Sequence, residues 1–245
     1  MKPQLAIQLY TVRDAADADL HGTLAGLAAM GYKYVETAGT YGLSIEKLAE
    51  TFAKHGLQAI SMHGGPNDLA DVETIAANAK ILGAKYFTVA YIPEEMRTDA
   101  AAWKASAAMM QAGAEKLAKL GITLCYHNHS FEFGTYEGQL GLDILYNNAP
   151  DLNAELDLFW VKHGDQDIAG AIKKRAGRLP LLHVKDMDTE GKMISVGSGT
   201  IDWPALFALD ATKGVEYLII EQDDTYGKPM QVAKECIDYM KSLGY

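Results

Sequence analysis

The sequence is short of the residues that would suggest an extracellular, membrane-bound or nucleic-acid-binding protein. Only two cysteines, Cys125 and Cys236, occur in 245 residues, too few for a disulfide framework or a cysteine-ligated zinc site. A reducing compartment is the simplest reading. No run of about 18 apolar residues is present, and the opening MKPQLAIQLYTVRD has no apolar core long enough for a signal peptide. The expectation is a soluble, cytoplasmic protein. Positive charge is scarce as well, with 22 Lys and Arg against 32 Asp and Glu, a net charge of −10. Such a surface repels phosphate backbones and anionic lipid headgroups, so neither nucleic acid nor a membrane is expected as a partner. A 49% hydrophobic content is enough for a sizeable core and excludes disorder.

Short β-branched and aromatic runs alternate with longer segments rich in Ala, Leu, Lys and Glu, the pattern of βα units on a parallel sheet. Eight such runs are expected as strands, over Gln4–Tyr10, Tyr34–Ala38, Gln58–His63, Tyr86–Tyr91, Thr123–His129, Asn153–Trp160, Leu181–Lys185 and Tyr217–Gln222. Between them, Ser44–His55 and Ala100–Leu120 carry apolar residues at helical spacing. Met30-Gly31, His55-Gly56, Leu82-Gly83, Leu120-Gly121 and Lys213-Gly214 each place a glycine where a helix stops before a strand. Eight βα units in about 250 residues make a single-domain α/β fold, a (β/α)₈ TIM barrel over residues 1–245. A doubly wound sheet is the competitor. It usually has a glycine-rich loop after its first strand, and Gln8-Leu9-Tyr10-Thr11-Val12-Arg13 contains none.

In such a barrel chemistry sits at the C-terminal strand ends. Read in order, these offer Gln8, Glu36, His63, His127 with His129, Asp157, His183 with Lys185, and Glu221 with Asp223. Four of the seven histidines fall there. Side chains two apart on a strand share a face; if Leu124, Tyr126, Leu156, Leu158, Leu182 and Val184 face the helices, the polar set faces the axis. Buried carboxylates and imidazoles need partners, and a divalent cation (Mn, Mg, Co or Zn) satisfies several at once. For a single histidine, hydrogen bonding within the fold is the simpler reading, and it is the one applied to His21 and His55. For Lys185 with Asp186, and for Asp223 with Asp224, a part in salt bridges at the rim is the simpler reading. Val196–Pro204 reads as a flexible loop entering a helix, with Asp202 as its cap and Pro204 in its first turn.

Several stretches together, IQLYTVRD near the start, MHGG at 62–65, YHNHSFEF at 126–133, ELDLFWV at 155–161, LLHVKDMD at 181–188, VGSGTIDW at 196–203 and IIEQD at 219–223, resemble the sugar phosphate isomerase/epimerase family of xylose-isomerase-like TIM barrels. The resemblance implies a divalent metal held by Asp157, His183 and Glu221, with His127 standing where the family has a glutamate. It further implies proton abstraction alpha to a carbonyl of a keto-sugar or related polyol. Glu221 is then base as well as ligand; Lys185, His129 and Glu132 are candidates for reprotonation or carbonyl polarisation; Gln8, Glu36, His63, Trp160 and Trp203 bind the sugar. Homo-oligomers are also expected by resemblance. Elimination from the same enediolate, by a dehydratase or lyase acting on an inosose or 3-keto-glycoside, is the alternative activity. A non-catalytic sugar-binding barrel and an AP-endonuclease-like enzyme are the remaining readings.

Overall fold

The computed structural model describes residues 2–245. Eight parallel strands close into a barrel in chain order: β1 (Gln4–Gln8), β2 (Tyr34–Thr37), β3 (Gln58–Gly64), β4 (Tyr86–Val89), β5 (Thr123–His127), β6 (Asn153–Asp157), β7 (Leu181–Val184) and β8 (Tyr217–Ile220), with β8 pairing back onto β1. Helices follow the strands, among them Leu20–Met30, Ile45–Lys54, Val72–Leu82, Ala100–Lys119 and Pro229–Ser242. No helix among the described residues is long and apolar enough to cross a membrane.

The alternation along each strand divides the core in two. Val35, Leu124, Tyr126, Leu156, Leu182 and Val184 face outward and pack with helix residues such as Leu27, Leu48, Met110 and Leu117. Ala6, Ile60, Tyr86, Cys125, Leu181 and Ile219 face the axis in a separate small cluster. Tyr34 and Tyr217 pack beneath it, rings edge to face at 5.4 Å, so the N-terminal end of the barrel is plugged by aromatic rings. The helix-ending glycines behave as their position demands at Gly31 (φ 101°) and Gly83 (φ 75°), where the backbone is left-handed and any other side chain would be strained. Gly214 differs: it is not among the positive-φ glycines, because a short turn at Asp210–Thr212 precedes it rather than a long helix.

Several strands stop earlier than the pattern suggests. β6 ends at Asp157, whose Oδ1 accepts from Trp160 N at 3.0 Å and starts a helix over Leu158–His163. Leu158 and Trp160 are therefore helical, not strand residues. β1 ends at Gln8, whose Oε1 accepts from Tyr10 N at 3.1 Å. The same residues that carry polar chemistry cap the next turn, because beyond the barrel rim no neighbouring strand supplies ladder partners.

Asp186 organises the loop after β7. It forms no ion pair with Lys185; its carboxylate accepts from Met187 N (2.8 Å), Gly197 N (2.9 Å), Gly199 N (3.3 Å), Ile201 N (3.2 Å) and Trp203 Nε1 (3.0 Å). A Cβ on Gly199 would lie 2.2 Å from Asp186 Oδ1, so only glycine allows the loop to close on this side chain. Asp202 caps the following helix through Ala205 N, with Pro204 in its first turn, as the sequence suggests. The segment is tied down rather than free. Replacing Asp186 with Ala leaves these donors, of which those on Met187, Ile201 and Trp203 are buried, without their acceptor, and chemical denaturation is expected to show a loss of about 2–4 kcal/mol; a change below about 0.5 kcal/mol would show that the carboxylate does not hold the loop.

Candidate metal centre

Every strand of the barrel delivers a polar side chain to its C-terminal mouth, and these form two overlapping groups. The upper group is His127, Asp157, His183 and Glu221, all buried, each offering a ligand atom within 4.8 Å of the others. His127 Nε2 lies 3.1 Å from Asp157 Oδ2, and His183 Nδ1 lies 2.7 Å from Glu221 Oε2. The lower group is Glu36, His63, Glu155 and His183. There His183 Nε2 is 2.8 Å from Glu36 Oε2 and 3.0 Å from Glu155 Oε1, and His63 Nε2 is 3.1 Å and 2.6 Å from the same two oxygens. Gln8 Nε2 donates to Glu36 at 2.9 Å and Thr88 Oγ1 to Glu155 at 2.8 Å. His183 thus belongs to both layers, one ring nitrogen to each.

A single ammonium group neutralises part of the upper layer. Lys185 Nζ, almost fully buried, lies 3.0 Å from Asp157 Oδ2, 2.7 Å from Glu221 Oε2 and 3.1 Å from Asp223 Oδ2. Burial works against its charge, but these three carboxylates outweigh burial and raise its pKa. Burial likewise opposes the ionised form of Glu221, yet Lys185 and His183 hold its pKa well below the usual carboxylate range. In the lower layer burial would discharge His63, but Glu36 and Glu155 push it up to about 10. His183 is raised in the same way, against burial, by Glu155 and Glu221. His127 is different: burial, then the neighbouring His183, lowers its pKa well below the imidazole range. His129 is pushed down to about 4 by burial and by Lys185. Both are neutral imidazoles, the form that ligates metal or accepts a hydrogen bond.

Above the upper layer opens a cavity of about 400 Å³ lined by Tyr10, His63, Tyr91, His129, Glu221 and Asp223, among others. Trp160 stands beside it, its ring 5.5 Å from that of His129. Trp160 Nε1 and His129 Nδ1 are buried without a hydrogen-bond partner, as groups that await a ligand hydroxyl would be. The sequence candidates do not all converge here. Gln8 and Glu36 are fully buried and bonded to each other beneath the cavity. Trp203 is fully buried against Phe207 and donates to Asp186, so it does not reach the mouth. Glu132 is turned to the helix side of β5, accepting from Tyr126 Oη at 2.6 Å and His129 N at 2.9 Å. It supplies no second carboxylate to the ligand group; it anchors the loop that carries His129. Glu155, on the inward face of its strand with Asp157, and Thr88 also join the site. Glu155 was legible as the residue two before Asp157 on the same face, whereas Thr88 gave no signal beyond its strand. His21 and His55 pair with one another at 2.9 Å away from the mouth.

The donor set fits a divalent ion. Two imidazoles and two carboxylates converge from four neighbouring strand ends, the mixed N/O chemistry that Zn, Mn and Co accept. Glu36 and Glu155 on the far nitrogen of His183 orient that ring as carboxylates behind metal-bound histidines do.

The sequence model of the xylose isomerase-like TIM barrel family matches residues 24–243. No curated protein sequence matches the chain at a significant level. Among solved structures, a sugar phosphate isomerase/epimerase from Parabacteroides distasonis is 21% identical, covers 99% of this chain and 95% of its own, and superposes with a TM-score of 0.82. L-ribulose 3-epimerase is 18% identical over 98% of this chain and 94% of its own, TM-score 0.69. The IOLI protein, solved with a zinc atom, is 15% identical over 98% and 97%, TM-score 0.76. At such identities the likeness carries the fold alone.

Two expectations follow from these contacts. Since the Lys185 ammonium sits on the same oxygens a cation needs, Lys185→Met is expected to tighten Mn²⁺ binding about tenfold or more, read from free Mn²⁺ by electron paramagnetic resonance; weaker binding would show that the lysine supports the ion rather than competing with it. Burial raises Glu132 to about 7, against the opposing bonds from Tyr126 and His129 N. A carboxyl whose folded pKa exceeds its unfolded value loses stabilisation as pH rises, here between about 4.5 and 7. The stability of the wild type relative to Glu132→Gln should therefore fall over that window, by up to about 3 kcal/mol, in urea unfolding at a series of pH values; a difference independent of pH would contradict it.

Proposed function

The chain belongs to the xylose isomerase-like TIM barrel family, and from that premise we propose that it is a divalent-cation-dependent sugar isomerase or epimerase that removes a proton alpha to a carbonyl of a keto-sugar or related polyol. The observation that carries this reading is the convergence of His127, Asp157, His183 and Glu221 within 4.8 Å directly under a cavity of about 400 Å³. Those four residues would hold the ion, which when bound supplies Lewis-acid polarisation of a substrate carbonyl and of the oxygen next to it.

The protein's own groups then account for binding and proton transfer. The cavity is walled by aromatic rings: Tyr91 meets His129 and Phe131 edge to face, and His129 stacks on Phe131 at 5.5 Å. Such rings receive the apolar face of a sugar, while Trp160 Nε1 and His129 Nδ1 are free to bond its hydroxyls. Lys185 is the one ammonium group that reaches the ligand set, and it is already shared by three carboxylates. No lysine or arginine lines the cavity itself, and its carboxylates Glu221 and Asp223 repel a phosphate, which favours a neutral substrate. Proton removal is assigned to Glu221, which lines the cavity and would also help to hold the ion, and return of the proton to Lys185, 2.7 Å away. Two groups in so short a contact lie on one side of a planar intermediate, so they can return the proton to the neighbouring carbon on the face it left, the requirement of aldose–ketose isomerisation.

The test follows C–H exchange in D₂O by NMR, with added Mn²⁺, against a panel of keto-sugars and inososes. Exchange in the wild type, reduced at least about 100-fold in Asp157→Asn together with the bound Mn²⁺, is the expected outcome; exchange that persists in the metal-free variant would sink the proposal.

A further inference from the structure

Beyond β4 the chain runs Ala90-Tyr91-Ile92-Pro93-Glu94-Glu95-Met96-Arg97. Pro93 opens a single 3₁₀ turn over Glu94–Met96, closed by Arg97 N donating to Glu94 O at 3.0 Å, and the reversal brings Arg97 back onto Tyr91. Both arms of the turn are fixed. Ile92 is fully buried, and Ser106 Oγ on the Ala100–Lys119 helix donates to Met96 O at 2.7 Å.

Tyr91 lines the reaction cavity and keeps 45% of its surface exposed, whereas Arg97 is not among the lining residues and works from behind it. The guanidinium makes three contacts at once. Its Nε donates to Ile92 O at 3.0 Å, its Nη2 donates to Tyr91 Oη at 3.2 Å, and its Cζ lies 3.7 Å over the centroid of Phe131. Phe131 belongs to the loop after β5 and stacks within 8° of parallel on His129. One side chain therefore ties together the two loops that bring Tyr91 and His129 to the cavity.

A guanidinium offers donors only, so in its contact with Tyr91 the phenolic oxygen accepts, and the phenolic proton must point away from Arg97. That proton is unspent. Among the described residues no other group bonds Tyr91 Oη. Tyr10, the other exposed tyrosine of the cavity, is held differently: Arg13 Cζ lies 4.0 Å over its ring and Nη1 donates to Tyr10 O at 2.8 Å, contacts that leave its hydroxyl undirected.

We propose that Tyr91 is a hydrogen-bond donor that selects an acceptor oxygen of the sugar at this wall of the cavity, and that Arg97 is its positioning residue. The assignment rests on the reading of the cavity as the seat of a keto-sugar or polyol. A donor placed on the wall, away from the cation group, holds the sugar equally before and during proton transfer. Its loss therefore appears in KM and leaves kcat in place.

The test measures C–H exchange kinetics with Mn²⁺, and dissociation constants by saturation-transfer NMR, for the same panel of keto-sugars and inososes. Wild type, Tyr91→Phe, Arg97→Met and the double variant are compared. Tyr91→Phe keeps the ring and removes the donor, so KM and Kd should rise about tenfold for the panel sugar that binds best, with kcat within about threefold. Arg97→Met keeps an apolar chain against Phe131 and should raise both about fivefold or more in the wild-type background. In the Tyr91→Phe background its effect should be smaller by at least about threefold. The lost bond to Ile92 O is common to both backgrounds and cancels in the cycle. Additive effects, a Kd unmoved by Tyr91→Phe, or no binding by any sugar of the panel would overturn the assignment. Binding without exchange counts against the proposed reaction alone, and the cycle in Kd then decides the role of Arg97.

Discussion

The site depends on one imidazole ring. His183 lies between two pairs of carboxylates, with Glu221 and Asp157 on its Nδ1 side and Glu36 and Glu155 on its Nε2 side. A buried histidine with both nitrogens engaged has a fixed plane and a fixed position, and everything above and below it takes its register from that plane. The four carboxylates would be too costly to bury together in the absence of such partners. His183 and His63 answer for the lower pair and Lys185 for the upper, so the charge is balanced locally, layer by layer, inside a protein whose total is strongly negative.

The closed barrel makes this arrangement affordable in backbone terms. Parallel strands tilted around one axis bring residues far apart in sequence to the same height: Glu36 and His183 are separated by 147 positions and still meet at 2.8 Å. Below them the small apolar layer and the tyrosine plug exclude water, and above them the loops after β5 and β7 are each held by one buried carboxylate, Glu132 in the first and Asp186 in the second. Neither carboxylate reaches the reacting region. Both fix the position of segments that do or that border it.

What could be read from sequence follows the period of the strand. The two-residue alternation and the position of strand ends indicate the barrel, the outward face of Leu124, Tyr126, Leu156, Leu182 and Val184, and the inward set at His127, Asp157 and His183. The same period places Glu155 on the inward face, one layer below the rim, where strand-end position alone assigns no role. The rule fails once the chain leaves the sheet. Glu132 and Trp203 lie in loop and helix segments where no period relates residue number to direction; one turned toward Tyr126 and the other into the core beneath Asp186. Leu158 and Trp160 lie outside the strand that the pattern suggests for a related reason: Asp157 acts both as a site residue and as a helix cap, and the cap shortens the strand. Lys185 is the intermediate case. Its height in the barrel is legible, and so is its separation from Asp186, which as the next residue points to the opposite face and is taken by its own loop, leaving Lys185 to Asp157, Glu221 and Asp223.

The aromatic plug at the lower end gives the barrel the character of a vessel with one opening. Tyr34, Tyr86 and Tyr217 close the axis from below, and Glu36, Glu155 and His183 above them have no exposed surface. His63 alone of the lower group keeps a margin of its side chain, 12%, toward the mouth. The imidazole of His63 is thus the one edge of the lower layer that meets the cavity, and it joins the buried carboxylates beneath to whatever lies above.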